Sequence, residues 1–208
     1  MEISVSYLKS KYDKEKTISL IEASSASSIH VDLMDGDYVP VINNDLTSTI
    51  KLLESTKKPL EIHLMMNKEL SISIDYLAVL KPRIIIIPLD IPNVLNYINQ
   101  IKEYNIKVGL AIHPDSKINE VIPYLNYIDS ILVMSVYPGK GGQSFLENTV
   151  DRLKELTKII NNHNITIGVD GGINDNTIGK IKAFVQYAIS GSYICMSDNY
   201  QSQIDKLL

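Results

Sequence analysis

Ser28-Ile29-His30-Val31-Asp32-Leu33-Met34-Asp35-Gly36-Asp37-Tyr38-Val39-Pro40 opens as an apolar, β-branched run with a histidine and an aspartate two residues apart. The run from Ser28 to Met34 predicts a buried strand. Residues i and i+2 of a strand share a face, so His30 and Asp32 converge while Ile29, Val31 and Leu33 face the other way. Burying an imidazole and a carboxylate without a partner is costly. A divalent metal ion would be such a partner, and Asp32 is also placed to accept a proton.

Short β-rich runs of the same kind recur on both sides of this one: Ile3 to Tyr7, Leu60 to Met66, Arg83 to Leu89, Lys107 to His113, Ser130 to Tyr137, Thr166 to Gly171 and Tyr187 to Gly191. Between them, Lys14 to Ala23, Asp45 to Glu54, Leu70 to Leu80, Asn93 to Tyr104 and Leu146 to Asn161 carry apolar residues at steps of three and four, the helical period. Nearly continuous apolar strands alternating with helices imply a parallel sheet covered on both faces. About eight such units favour a single α/β domain over residues 1–208, a closed (β/α)8 TIM barrel rather than an open doubly wound sheet. Only Asn199 to Leu208 remain for the last helix, which is expected to be short.

Composition narrows the class of function. The 208 residues are 45% hydrophobic and 21% charged, with a formal charge of −4, the balance of a globular protein. No Lys/Arg stripe offers a footprint for nucleic acid. No apolar run reaches the roughly 18 residues of a membrane span, and the first residues contain no signal-peptide core. The single cysteine, Cys195, suits a reducing compartment and reads as a packed thiol. The expectation is a cytoplasmic enzyme with neither nucleic-acid nor membrane partners.

In a barrel the functional face lies at the carboxyl ends of the strands. His30 and Asp32 end the second run, His63 ends the third, and Asp170 ends the seventh within Ile167-Gly168-Val169-Asp170-Gly171-Gly172-Ile173. Singly, each has an ordinary alternative: a hydrogen-bonded core histidine, a capping or paired carboxylate, a turn-shaping aspartate. Together they make a nitrogen and oxygen donor set for one Zn, Mn or Fe(II) ion. A second group is glycine-rich: Pro138-Gly139-Lys140-Gly141-Gly142-Gln143-Ser144 after the sixth run, Gly171-Gly172 after the seventh and Gly191-Ser192 after the eighth. Glycines let backbone N–H groups approach an anion, and late barrel loops often bind phosphate. The implied ligand is phosphorylated, with Lys140 either adding charge or standing solvated. Met34, Met65 and Met134 end strands as core filler or as a soft wall that excludes water from a charged intermediate.

At these residues the chain resembles the ribulose-phosphate 3-epimerase family almost end to end. HVDLMDGDYVP, EIHLMM, VMSVYPGKGGQSF, GVDGGI and AISGSYI stand in the family's order and spacing, and ISVSYL is similar to its opening strand. The resemblance implies a metal-dependent enzyme that inverts C3 of a 2-keto sugar phosphate. His30, Asp32, His63 and Asp170 would be the ligands, and Asp32 and Asp170 the acid and base on either side of a cis-enediolate lined by Met34, Met65 and Met134. It further places Ser6 at the family's substrate-contacting serine and implies assembly as a homo-oligomer; with the glycine loops, the expected substrate contacts are Ser6, His63, Gly139, Lys140, Gly141, Gly142, Asp170, Gly171, Gly172, Gly191 and Ser192. The expected substrate is D-ribulose 5-phosphate, exchanged with D-xylulose 5-phosphate. The chain departs from the family's usual residues at Val41 to Asp45, Ile87-Pro88, His113, Tyr137 and Lys140. Those departures leave a 2-ketohexose 6-phosphate such as D-allulose 6-phosphate as the alternative substrate. A non-catalytic phosphosugar-binding barrel is the alternative of another class. A metal-independent lyase or isomerase on the same fold would leave the two histidines unexplained.

Overall fold

Apolar β-branched runs form eight parallel strands that close on themselves: β1 (Glu2–Ser6), β2 (Ser28–Asp35), β3 (Leu60–Met65), β4 (Ile84–Pro88), β5 (Lys107–Ile112), β6 (Ser130–Met134), β7 (Thr166–Asp170) and β8 (Tyr187–Ser190). The structure, a computed structural model, describes residues 1–161 and 163–208. Each strand pairs with its neighbours in sequence, and β1 pairs with both β2 and β8, so the sheet has no open parallel edge. This is the expected (β/α)8 TIM barrel. The two-residue strand Ile42–Asn43 adds antiparallel to Met34 and Asp35 at the end of β2, a detail absent from the periodicity.

The helices fall where the three- and four-residue steps place them: α1 (Lys14–Glu22), α2 (Leu46–Leu53), α3 (Leu70–Leu77), α4 (Val94–Glu103) and α5 (Thr149–Ile159). Asp13 and Asp45 cap α1 and α2 by accepting from the backbone N–H of Lys16 and Ser48, the groups a helix start leaves unpaired. Where the strand after β5 would be preceded by a helix there is only a 3₁₀ segment, Ile118–Tyr124, which contains Pro123, a residue lacking the donor an α-helix needs. The last units are abbreviated to α6 (Ile178–Ile181), α7 (Ser192–Cys195) and α8 (Tyr200–Asp205). Among the described residues no helix is long and apolar enough to cross a membrane.

Two apolar layers result. Ile29, Val31 and Leu33 point outward and belong to the large cluster between strands and helices. Inside the barrel, Ile84, Ile86, Ala111, Leu132, Met134, Tyr187 and Ile189 form a separate plug. Gly168 lies against the Tyr187 ring so closely that a Cβ there would stand 2.1 Å from Cζ, and the Tyr187 hydroxyl reaches Ser130 Oγ at 2.8 Å. The filled lower barrel confines any ligand to the carboxyl end of the strands.

Candidate active site

Strand register brings the polar side chains together. Ser6 is in register with His30, Asp32 with His63, and Met134 with Asp170. His30, Asp32 and His63 are buried. With Asp170 they each offer one ligand atom, and these atoms all lie within 4.8 Å of one another. Asp32 Oδ1 is 3.3 Å from His30 Nε2 and 3.4 Å from His63 Nδ1, while its Oδ2 accepts from Ser6 Oγ at 2.7 Å. Among the described residues neither His30 Nε2 nor His63 Nδ1 has a hydrogen-bond partner. Leaving a buried polar atom unsatisfied costs about 1–3 kcal/mol, and buried polar groups are normally paired. Two such atoms beside two carboxylates could hold a divalent cation that takes nitrogen and oxygen ligands. The residues present fit the metal the sequence called for.

The electrostatics separate the two aspartates. Burial works against the charge of Asp32, but His30 and His63 outweigh it and hold the carboxyl far below its usual range. Burial, and then the neighbouring Asp32 charge, push Asp170 up to about 7. Burial opposes protonation of His30 too, yet Asp32, Glu61 and Asp170 carry its imidazole well above the ordinary value. His63 is lowered, by burial first and by the charge on His30. One carboxylate kept ionised beside another that carries a proton near neutrality is a pair suited to acid and base work.

Above these groups opens a cavity of about 430 Å³. Ser6, Asp32 and Asp170 reach it directly, and Met65 and Met134 form its apolar wall. His30 and His63 sit beneath that lining. Met34 lies deeper than expected of a wall residue, fully buried against Val39 and Met65. All three glycine-containing loops border the cavity, through Gly139, Lys140, Gly141 and Gly142, through Gly171 and Gly172, and through Gly191 and Ser192. Gln143 braces the first loop by donating to the carbonyls of Tyr137 and Lys140. Gly172 has φ +65, and a Cβ there would stand 2.5 Å from the backbone nitrogen of Phe145; no other residue fits that turn.

Two residues of consequence went unread in the sequence. Lys9 borders the cavity and lies along the first glycine loop, its Nζ 2.7 Å from where a Cβ of Gly142 would be. Glu61 is buried one strand step before His63 and is within 3.4 Å of His30. The same i, i+2 alternation that singled out His30 and Asp32 marks Glu61 and His63 as sharing a face. Lys9 gives no such signal, because its proximity to Gly142 arises only when the barrel closes. Of the positions that depart from the family's usual residues, Tyr137 and Lys140 reach the cavity mouth. His113 instead stacks edge-on with Tyr137 at 5.6 Å, and the Tyr137 hydroxyl donates to Asp115.

Residues 2–195 match the profile of the Ribulose-phosphate 3 epimerase family. The chain is 32% identical over 188 residues to the Helicobacter pylori protein named ribulose-phosphate 3-epimerase, covering 88% of this chain and 86% of that protein. It is 33% identical over 193 residues to the Escherichia coli protein of the same name, covering 89% and 84%. Among solved structures, 3-hexulose-6-phosphate synthase superposes with a TM-score of 0.70 at 13% identity, over 100% of this chain and 98% of that one. KGPDC from Streptococcus mutans superposes with a TM-score of 0.71 at 13% identity, over 99% and 94%. At that identity these two structures speak for the barrel alone.

Proposed function

The chain belongs to the ribulose-phosphate 3-epimerase family and is an isomerase acting on carbohydrates, and from that premise we propose that it interconverts D-ribulose 5-phosphate and D-xylulose 5-phosphate by proton transfer at C3 through Asp32 and Asp170. The observation that carries this reading is the convergence of His30, Asp32, His63 and Asp170 at the foot of a glycine-rimmed cavity.

A hydrogen beside a ketone is too weak an acid for a carboxylate unless the oxyanion developing at C2 is stabilised. A divalent cation, which His30, Asp32, His63 and Asp170 would hold, would supply that positive charge. Asp32, oriented by the Ser6 hydroxyl and kept ionised by the histidines, takes the C3 proton, and the C–H electron pair spreads over C2 and C3 as a cis-enediolate. Asp170 delivers a proton to C3 from the opposite face, so the C–H bond re-forms with inverted configuration. The reverse reaction exchanges the two roles. Met65 and Met134 keep water from the intermediate. The N–H groups of the three glycine loops, with Lys9 and Lys140, hold the phosphate and so fix C3 between the carboxylates.

Purified protein given Mn, Fe(II) or Zn should convert D-ribulose 5-phosphate, with kcat/KM above that for D-allulose 6-phosphate. A higher kcat/KM on the hexose phosphate would overturn the choice of substrate and leave the chemistry intact. Folded protein that turns over neither sugar with any of the metals would overturn the proposal itself.

A further inference from the structure

We propose that Glu61 is a positioning residue of the metal centre, accepting a hydrogen bond from His30 Nδ1–H and so presenting Nε2 bare to the cation. The inference rests on the reading of His30 as a ligand. Glu61 on β3 is in register with His30 on β2, and its carboxylate is only 1% exposed. His30 Nδ1 lies 3.4 Å from Glu61 Oε2, on the side of the ring away from the orphaned Nε2. Only one nitrogen of a neutral imidazole carries a proton. An anionic acceptor at Nδ1 puts it there and leaves the lone pair on Nε2 for the metal.

Glu61 is itself held in place. Its Oε1 accepts from Ser28 Oγ at 3.0 Å and from the Arg83 guanidinium. Ser28 Oγ in turn donates to Ser4 Oγ at 2.9 Å. Arg83 also pairs with Glu2 at 2.7 Å, and both of those side chains reach solvent. A line of polar groups therefore runs from the metal centre through the barrel floor to the amino-terminal face. A carboxylate that served only as a counter-ion for Arg83 could lie nearer the surface, where Glu2 already pairs with the guanidinium. Burial of Glu61 against His30 is accounted for by the imidazole it orients.

Two measurements test this. In 15N-histidine-labelled protein loaded with 113Cd(II), His30 should show scalar coupling from cadmium to Nε2 and a protonated Nδ1. Coupling to Nδ1, or a His30 Nδ1 without its proton, would overturn the inference in the unmodified protein. Zinc affinity, measured by chelator competition, should fall in the order wild type, Glu61→Gln, Glu61→Met. Glutamine keeps an acceptor without the charge, whereas methionine keeps the volume and loses the acceptor, so the methionine variant should bind roughly 10- to 100-fold more weakly. Equal zinc affinity in folded Glu61→Gln and wild type, even with lowered thermal stability, would make Glu61 structural only and overturn the proposal. Failure of the underlying site reading would look different: His30→Ala would then keep wild-type zinc affinity.

Discussion

At the residue scale, the protonation states of Asp170 and His30 would govern uptake of a metal at the proposed site. Asp170 is raised to about 7, through burial and the charge of Asp32, and His30 is carried well above its ordinary value. In the metal-free protein both shifts favour the protonated forms at pH 6, and a dication held by His30 would displace the proton there. Because the folded carboxyl is raised above the ordinary value near 3.8, its contribution favours the folded state below that value and is lost as pH rises through about 7. Calorimetry at pH 6 in buffers of different ionisation enthalpy should show at least one proton released per zinc bound, with affinity rising toward pH 8. Zinc uptake without proton release would contradict these states. Lys9 offers a second residue-scale prediction, since among the described residues it forms no ion pair while Lys11, Lys68, Lys154 and Lys180 do. Lys9→Met should raise KM for the sugar phosphate roughly 10- to 150-fold, the range of one hydrogen bond to a charged group, with kcat little changed. An unchanged KM would remove Lys9 from phosphate binding.

At the element scale, the strands carried their own signal and the turns did not. His30 and Asp32 could be placed on one face because strand alternation is a local property of consecutive residues, and in β2 Ile29, Val31 and Leu33 join the outer cluster while His30 and Asp32 meet inside the barrel. α2 and α4 could likewise be bounded within a residue or two, since their apolar steps end at capping positions. The 3₁₀ segment with Pro123 and the short α6 and α7 have too few residues to display a period. Gly168 shows what else stays hidden: its role depends on the Tyr187 ring across the β7–β8 pair. Gly168→Ala should destabilise the protein by about 1–3 kcal/mol through overpacking, read as a lowered midpoint in denaturant. The same substitution in a Tyr187→Leu background should cost far less. Equal cost in both backgrounds would mean that the ring is not what Gly168 accommodates.

At the scale of the whole molecule, the site is a product of closure. β1 joins β2 and β8, and only then do Asp32 and Asp170, 138 positions apart as their numbers give, come to one point. The sequence could nominate the two aspartates as strand-end residues but not their spacing, nor that burial, with the charge of Asp32, would push Asp170 up to about 7. The division of labour between them is the core of the account: Asp32 serves one face of C3 and Asp170 the other. It is tested most directly with metal-loaded Asp170→Asn in D2O, following both epimerisation of D-ribulose 5-phosphate and exchange of its C3 hydrogen by NMR, with bound metal quantified in the same sample. The account predicts that exchange through Asp32 persists while epimerisation is abolished. Loss of both activities in a variant that retains its metal, or epimerisation at the wild-type rate, would contradict it.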